Sequence, residues 1–121
     1  MSALRFFTVE TAEDVLVVAP LGDVADADNE AVQANVTELL AMLAAPGLRH
    51  VVFDFRSVPY FGSAMLETML TLWRDVRSRG GRLAVCNLSE AERELIATVK
   101  FDTLWPIGAT REDALAAVRG R

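Results

Sequence analysis

Residues 51–66 read Val-Val-Phe-Asp-Phe-Arg-Ser-Val-Pro-Tyr-Phe-Gly-Ser-Ala-Met-Leu, and this passage decides the fold. Val51 to Phe55 is almost wholly apolar, as a central strand covered on at least one face by helices must be. A loop follows from Arg56 to Gly62. Ser63 then opens a segment in which Leu66, Met69, Leu70, Trp73 and Val76 recur at intervals of three and four, the spacing of an amphipathic helix with those residues inward. Gly80 and Gly81 supply its stop.

The rest of the chain repeats this alternation, the pattern of helices packed on a largely parallel sheet. Upstream, Phe6 to Glu10 and Val15 to Ala19 read as two strands of a hairpin joined through Thr11 to Asp14. Pro20 to Gly22 break the second strand. The acidic stretch Asp23 to Glu30 then leads into a helix with Val32, Val36, Leu39, Leu40 and Leu43 on one face, ended by Pro46 and Gly47. Downstream, Leu83 to Asn87 is another buried strand, and Ser89 with Glu92 forms a capping-box signal for a third helix that turns Leu95, Ile96 and Val99 inward. Leu104 to Ile107 reads as a short edge strand, because Pro106 cannot donate to a ladder. Thr110 and Asp113 open a last helix with Ala114, Leu115 and Val118 inward. The expectation is one α/β domain over residues 1–121, a mixed sheet of about five strands against about four helices.

Charge and residue inventory exclude several functions. A net charge of −5 argues against nucleic acid as a partner, since that affinity requires a basic face. Arg74, Arg77, Arg79 and Arg82 form the one basic cluster, read as a solvated helix end. No apolar run approaches the roughly 20 residues of a membrane span, and the N-terminus has no signal-peptide pattern. These features lead to an expected cytoplasmic location without direct membrane insertion.

Cys86, the single cysteine, lies in an apolar run and reads as a buried, inert thiol. His50, the single histidine, reads as a partly exposed residue at a strand entry with nothing to orient it as a base. No metal-ligand cluster is present. Gly80-Gly81 follows a helix and precedes a strand, the reverse of a phosphate-cradling loop. Asp23, Asp26, Asp28 and Glu30 lack the spacing of a calcium loop and suit a helix N-terminus. No catalytic residue, metal or cofactor is expected, and the chain is read as a non-enzyme.

What remains is Ser63. As an N-cap its hydroxyl would accept a hydrogen bond from a first-turn amide, which alone justifies a serine. The same geometry suits a phosphoserine, whose charge would meet the positive end of the helix and free amide donors. Met65 and Leu72, seven apart and off the inward stripe, would form an apolar shoulder beside Ser63 for a partner. Peripheral core packing is the alternative for both.

The chain resembles the STAS domains, the family of anti-sigma factor antagonists. In them an apolar strand ending in Asp leads to an Asp-Ser-Ser/Thr-Gly-Leu motif at a helix start, then to a Gly-Gly turn and a buried strand. Asp54, Ser63, Leu66 and Gly80-Gly81-Arg82-Leu83 match these parts, and Leu21-Gly22-Asp23 resembles the family's entry to its first helix. Gly62 stands where the family usually has Asp, Ala64 where it has Ser or Thr, Met65 where it has Gly, and Lys100 where a glycine precedes Phe101, which points to a different helix end.

The resemblance implies a protein-binding module. Its partner would be an anti-sigma factor or serine kinase-like protein, docked at Gly62, Ser63, Ala64, Met65 and Leu72 and released by phosphorylation of Ser63. It equally admits a constitutive scaffold subunit of a stress-signalling or lipid-transport complex in which Ser63 only caps its helix. Homodimerisation stays open.

Overall fold

A computed structural model of the chain describes residues 4–22 and 28–120. Strands β1 (Phe7–Ala12) and β2 (Val15–Pro20) form an antiparallel hairpin, with Glu13 in the turn at φ 54°. Then follow α1 (Asn29–Leu43), β3 (His50–Asp54), α2 (Ser63–Ser78), β4 (Leu83–Cys86), α3 (Glu90–Thr98), β5 (Ile107–Gly108) and α4 (Arg111–Val118). The sheet order is β1-β2-β3-β4-β5, and every pair after the hairpin is parallel. This is the expected mixed sheet with its helices.

Strand order equals chain order, so the three crossovers step the same way, and a common handedness brings them onto one face. Accordingly α1, α2 and α3 bury Leu39, Met69 and Ile96 against Leu16, Val18, Val51, Phe53 and Val85. The alternate strand residues point the other way. There α4 folds back after the last strand, and its Ala114 and Val118 cover Val15, Val17, Val52, Ala84 and Cys86. Burial, and then the nearby Asp54 charge, push the Cys86 thiol up to about 12, which makes it inert. Gly108, paired with Cys86, is required by this packing: a Cβ there would lie 2.8 Å from that of Asp113.

The ends of the elements are set by local chemistry. Gly80, at φ 81°, and the bond from Gly81 N–H to the Val76 carbonyl (2.7 Å) close α2 in a Schellman motif. Asp28 caps α1 by accepting from the Ala31 amide at 2.8 Å; Asp23 and Asp26 lie outside the described residues. Ser89 and Glu92 form the expected capping box.

Several expectations are corrected. Helix α2 is rotated relative to its sequence reading: Met65, Thr68, Met69, Leu72 and Val76 are buried, whereas Leu66, Leu70 and Trp73 lie half-buried at the rim. Thr68 can face the core because its hydroxyl donates to the Ala64 carbonyl (3.0 Å) within the same helix. In α1, Asn35 replaces Leu40 on the buried face, and its side-chain oxygen accepts from the Arg5 and Phe6 amides, each at 2.9 Å. Val99 caps the end of α3 and is exposed.

The last strand begins only at Ile107. The residues before it form a 3-10 turn (Phe101–Thr103) that tucks Trp105 against Phe101 and Trp73. His50 is buried rather than partly exposed, and it is oriented: Nδ1 accepts from the Arg82 amide at 2.9 Å, and Nε2 faces Asp14 at 3.5 Å. Lys100 adopts φ 65°, ψ 24°, so the helix end keeps the left-handed geometry a glycine would give.

Candidate functional site

The site is built where β3 and β4 end. β3 ends at Asp54 with one last bond to β4, from the Phe55 amide to the Cys86 carbonyl at 3.1 Å, and the chain crosses to α2 through residues 55–62. Phe55, Val58 and Phe61 turn inward, with the Phe61 ring 4.8 Å from that of Phe55. The intervening Arg56, Ser57, Pro59 and Tyr60 are thereby forced outward. Tyr60, at 64% exposed, is the most exposed of the large hydrophobic side chains among the described residues. The Ser89 hydroxyl donates to the Pro59 carbonyl, so the loop is tied to the start of α3.

Ser63 is not the N-cap. Gly62 holds that position in an extended conformation (φ −118°, ψ −161°), and its carbonyl accepts from Met65 and Leu66. Ser63 is therefore the first helical residue, exposed, and its hydroxyl has no hydrogen-bond partner among the described residues. A glycine cap has no side chain to offer, so the first amides of α2, at Ser63 and Ala64, receive no side-chain cap. Helices α1, α3 and α4 each carry an acid in the first turn, and α2 carries none. The capping explanation for a serine at this position is thus removed.

Behind the loop, Asp54 is fully buried. Burial alone would raise its pKa. The Asn87 side chain at 3.0 Å, the Arg56 amide at 3.1 Å and Arg111 at 3.1 Å outweigh this and hold the carboxyl below its ordinary value. Arg111, the first residue of α4, also reaches Glu10 at 3.1 Å. A cation at a helix N-terminus opposes the dipole, so this arginine is placed for its two acids. The network joins β1, β3, β4 and α4 directly beneath the exposed loop.

Of the residues singled out by sequence, Gly62, Ser63 and Ala64 are exposed together at the start of α2. Met65 and Leu72 are not surface residues. At 3% and 0% exposure they belong to the main core, because the rotation of α2 turns their edge toward the sheet. They form no apolar shoulder. Sequence reasoning missed Tyr60, whose only signal was an aromatic in a loop, and Arg111, whose signal was a basic residue where a helix start favours acids.

Comparison with known proteins now bears on this geometry. Residues 6–114 match the family model described as STAS domain. The chain is 35% identical over 89 residues to BtrV of Bordetella bronchiseptica (strain RB50), which is named as an anti-sigma factor antagonist; the match covers 71% of this chain and 77% of that one. The same fold is found in the anti-sigma factor antagonist SpoIIAA in its unphosphorylated form, with a TM-score of 0.77 at 20% identity over 95% of this chain and 97% of the other. It is also found in SpoIIAA of Bacillus in the phosphorylated form, with a TM-score of 0.66 at 18% identity over 95% and 99%.

Proposed function

The chain belongs to the STAS domain family, and from that premise we propose that it is a non-enzymatic docking module of the anti-sigma factor antagonist kind, acting in the cytoplasm on an anti-sigma factor or serine kinase-like partner. The docking surface is the loop and helix start carrying Tyr60, Gly62, Ser63 and Ala64. Tyr60 supplies the anchor, since exposed aromatic side chains on a pinned loop present large contact area at small entropic cost.

Ser63 is the switch. Transfer of the γ-phosphoryl group of ATP to its oxygen by a kinase, with ADP leaving and the hydroxyl proton passing to a base of that kinase, places nearly two negative charges at the contact surface. The first-turn amides of α2 hold that phosphate, and the partner loses its fit through charge and bulk. The observation that carries this reading is the uncommitted Ser63 hydroxyl at the mouth of a helix without a first-turn acid. Among the described residues no helix is long and apolar enough to cross a membrane.

A second reading has one observation in its favour. With Gly62 where the family has Asp, the switch loop carries no carboxylate at the cap, which suits a constitutive scaffold subunit of a signalling or lipid-transport complex. Mass spectrometry of the protein isolated from its native host separates the two. Phosphate on Ser63 under some growth conditions supports the switch, and an unmodified Ser63 under all of them supports the scaffold.

A further inference from the structure

At the pole of the sheet opposite Ser63, a pocket of about 160 Å³ is lined by Arg49, His50, Gly80, Arg82, Val118 and Arg119. Its polarity is unusual in a chain of net charge −5, since three guanidinium groups converge on it. Bonds to backbone carbonyls account for part of this: Arg49 Nη2 donates to the Gly80 carbonyl past the end of α2 at 3.3 Å, and Arg119 Nη2 to the Ala12 carbonyl at the end of β1 at 3.1 Å. They leave a remainder. Among the described residues, neither Arg49 nor Arg82 has a carboxylate within ion-pair distance, and the Arg82 side chain donates no hydrogen bond. Among the described residues Arg119 Nε is buried without an acceptor, with Asp14 Oδ1 3.9 Å away and Glu13 Oε1 3.7 Å from Nη2.

We propose that this pocket binds a free tetrahedral oxyanion, phosphate or sulfate, through Arg49 and Arg82, with the charge of Arg119 in the pocket lining. Guanidinium groups present forked donors matched to such an anion. The volume falls below the roughly 300 Å³ at which pockets for drug-sized ligands begin, so it takes the ion and not a nucleotide. His50 reports occupancy. Its pKa is held down by burial and by the charges of Arg49, Arg82 and Arg119, against Asp14 from the hairpin turn. An anion among the arginines offsets them and raises it.

The test is an NMR titration of the full chain with inorganic phosphate, with sodium chloride holding ionic strength constant. The expected result is saturable shifts at Arg82 and His50 at millimolar phosphate, an upward move of the His50 titration, and binding weakened about tenfold in Arg82→Gln. That variant replaces an exposed side chain with no ion pair, so the fold is retained. Arg49→Gln should act in the same direction. Three results would each overturn the assignment: equal shifts with chloride alone, shifts centred on the amides of Ser63 to Met65, or ATP binding as tightly as phosphate.

Discussion

Asp54 and Arg111, 57 positions apart, meet beneath the exposed loop with both Nε and Nη2 of the arginine 3.1 Å from one carboxylate oxygen. The contact fastens α4 to the end of the central strand. Removing one member of a buried pair strands the other, at about 3 kcal/mol or more. Arg111→Met should therefore lower unfolding stability by about 3 kcal/mol, and adding Asp54→Asn should recover part of the loss. Urea denaturation of the single and double variants checks this.

The same carboxylate sets an acid limb. Its folded pKa lies below the unfolded value, so its stabilisation is complete above about pH 4 and is lost as pH falls through the folded pKa. The gap in stability between the wild type and Asp54→Asn should close as pH drops below about 4. A gap that persists at low pH would mean that the ionised form of Asp54 is not what stabilises.

Glu92 works with the opposite sign. Its side chain is buried, one oxygen accepts from the Ser89 amide at 2.9 Å, and the other has no partner among the described residues. Burial raises its pKa against the hydrogen bonds from Ser89. Stability from this group is full below its unfolded pKa and is lost as pH rises through the raised folded one. Glu92→Gln, which can keep the capping box, should be more stable than the wild type at pH 7 by about 1 kcal/mol, with the advantage gone near pH 4.

Lys100 holds a left-handed conformation in which its Cβ is strained. Lys100→Gly should stabilise by about 1 kcal/mol, raising Tm by about 4 °C. Calorimetry reads this directly.

How legible these features were depended on where their physics lay. The three central strands were readable because burial on both faces demands unbroken apolar runs, as in Val51 to Phe55. The Schellman stop and the capping box were readable because they need particular residues at fixed offsets. The face of α2 was not: Thr68 hides its hydroxyl on its own helix, and Trp73 sits at the rim against Trp105, a contact made across 32 positions. The last strand was misplaced for the same reason, since the apolar Leu104 and Trp105 serve an aromatic cluster rather than a ladder. At the site, Ser63 was found by its place at a helix start, yet its exact position within the turn, which frees its hydroxyl, depends on a glycine one residue earlier.

Tyr60 should contribute most to docking. Tyr60→Ala removes an exposed ring that the fold does not use, so melting should be unchanged while affinity for the partner falls by about tenfold or more. Equal loss of stability and affinity would show the ring to be structural.

The most direct test of the switch is the affinity of the purified partner, recovered by pull-down from the native host, for the wild type, Ser63→Ala and Ser63→Asp. Ser63→Ala should bind like the wild type, because the hydroxyl makes no bond of its own, while Ser63→Asp should bind at least about tenfold more weakly. Equal affinity of all three would contradict the account.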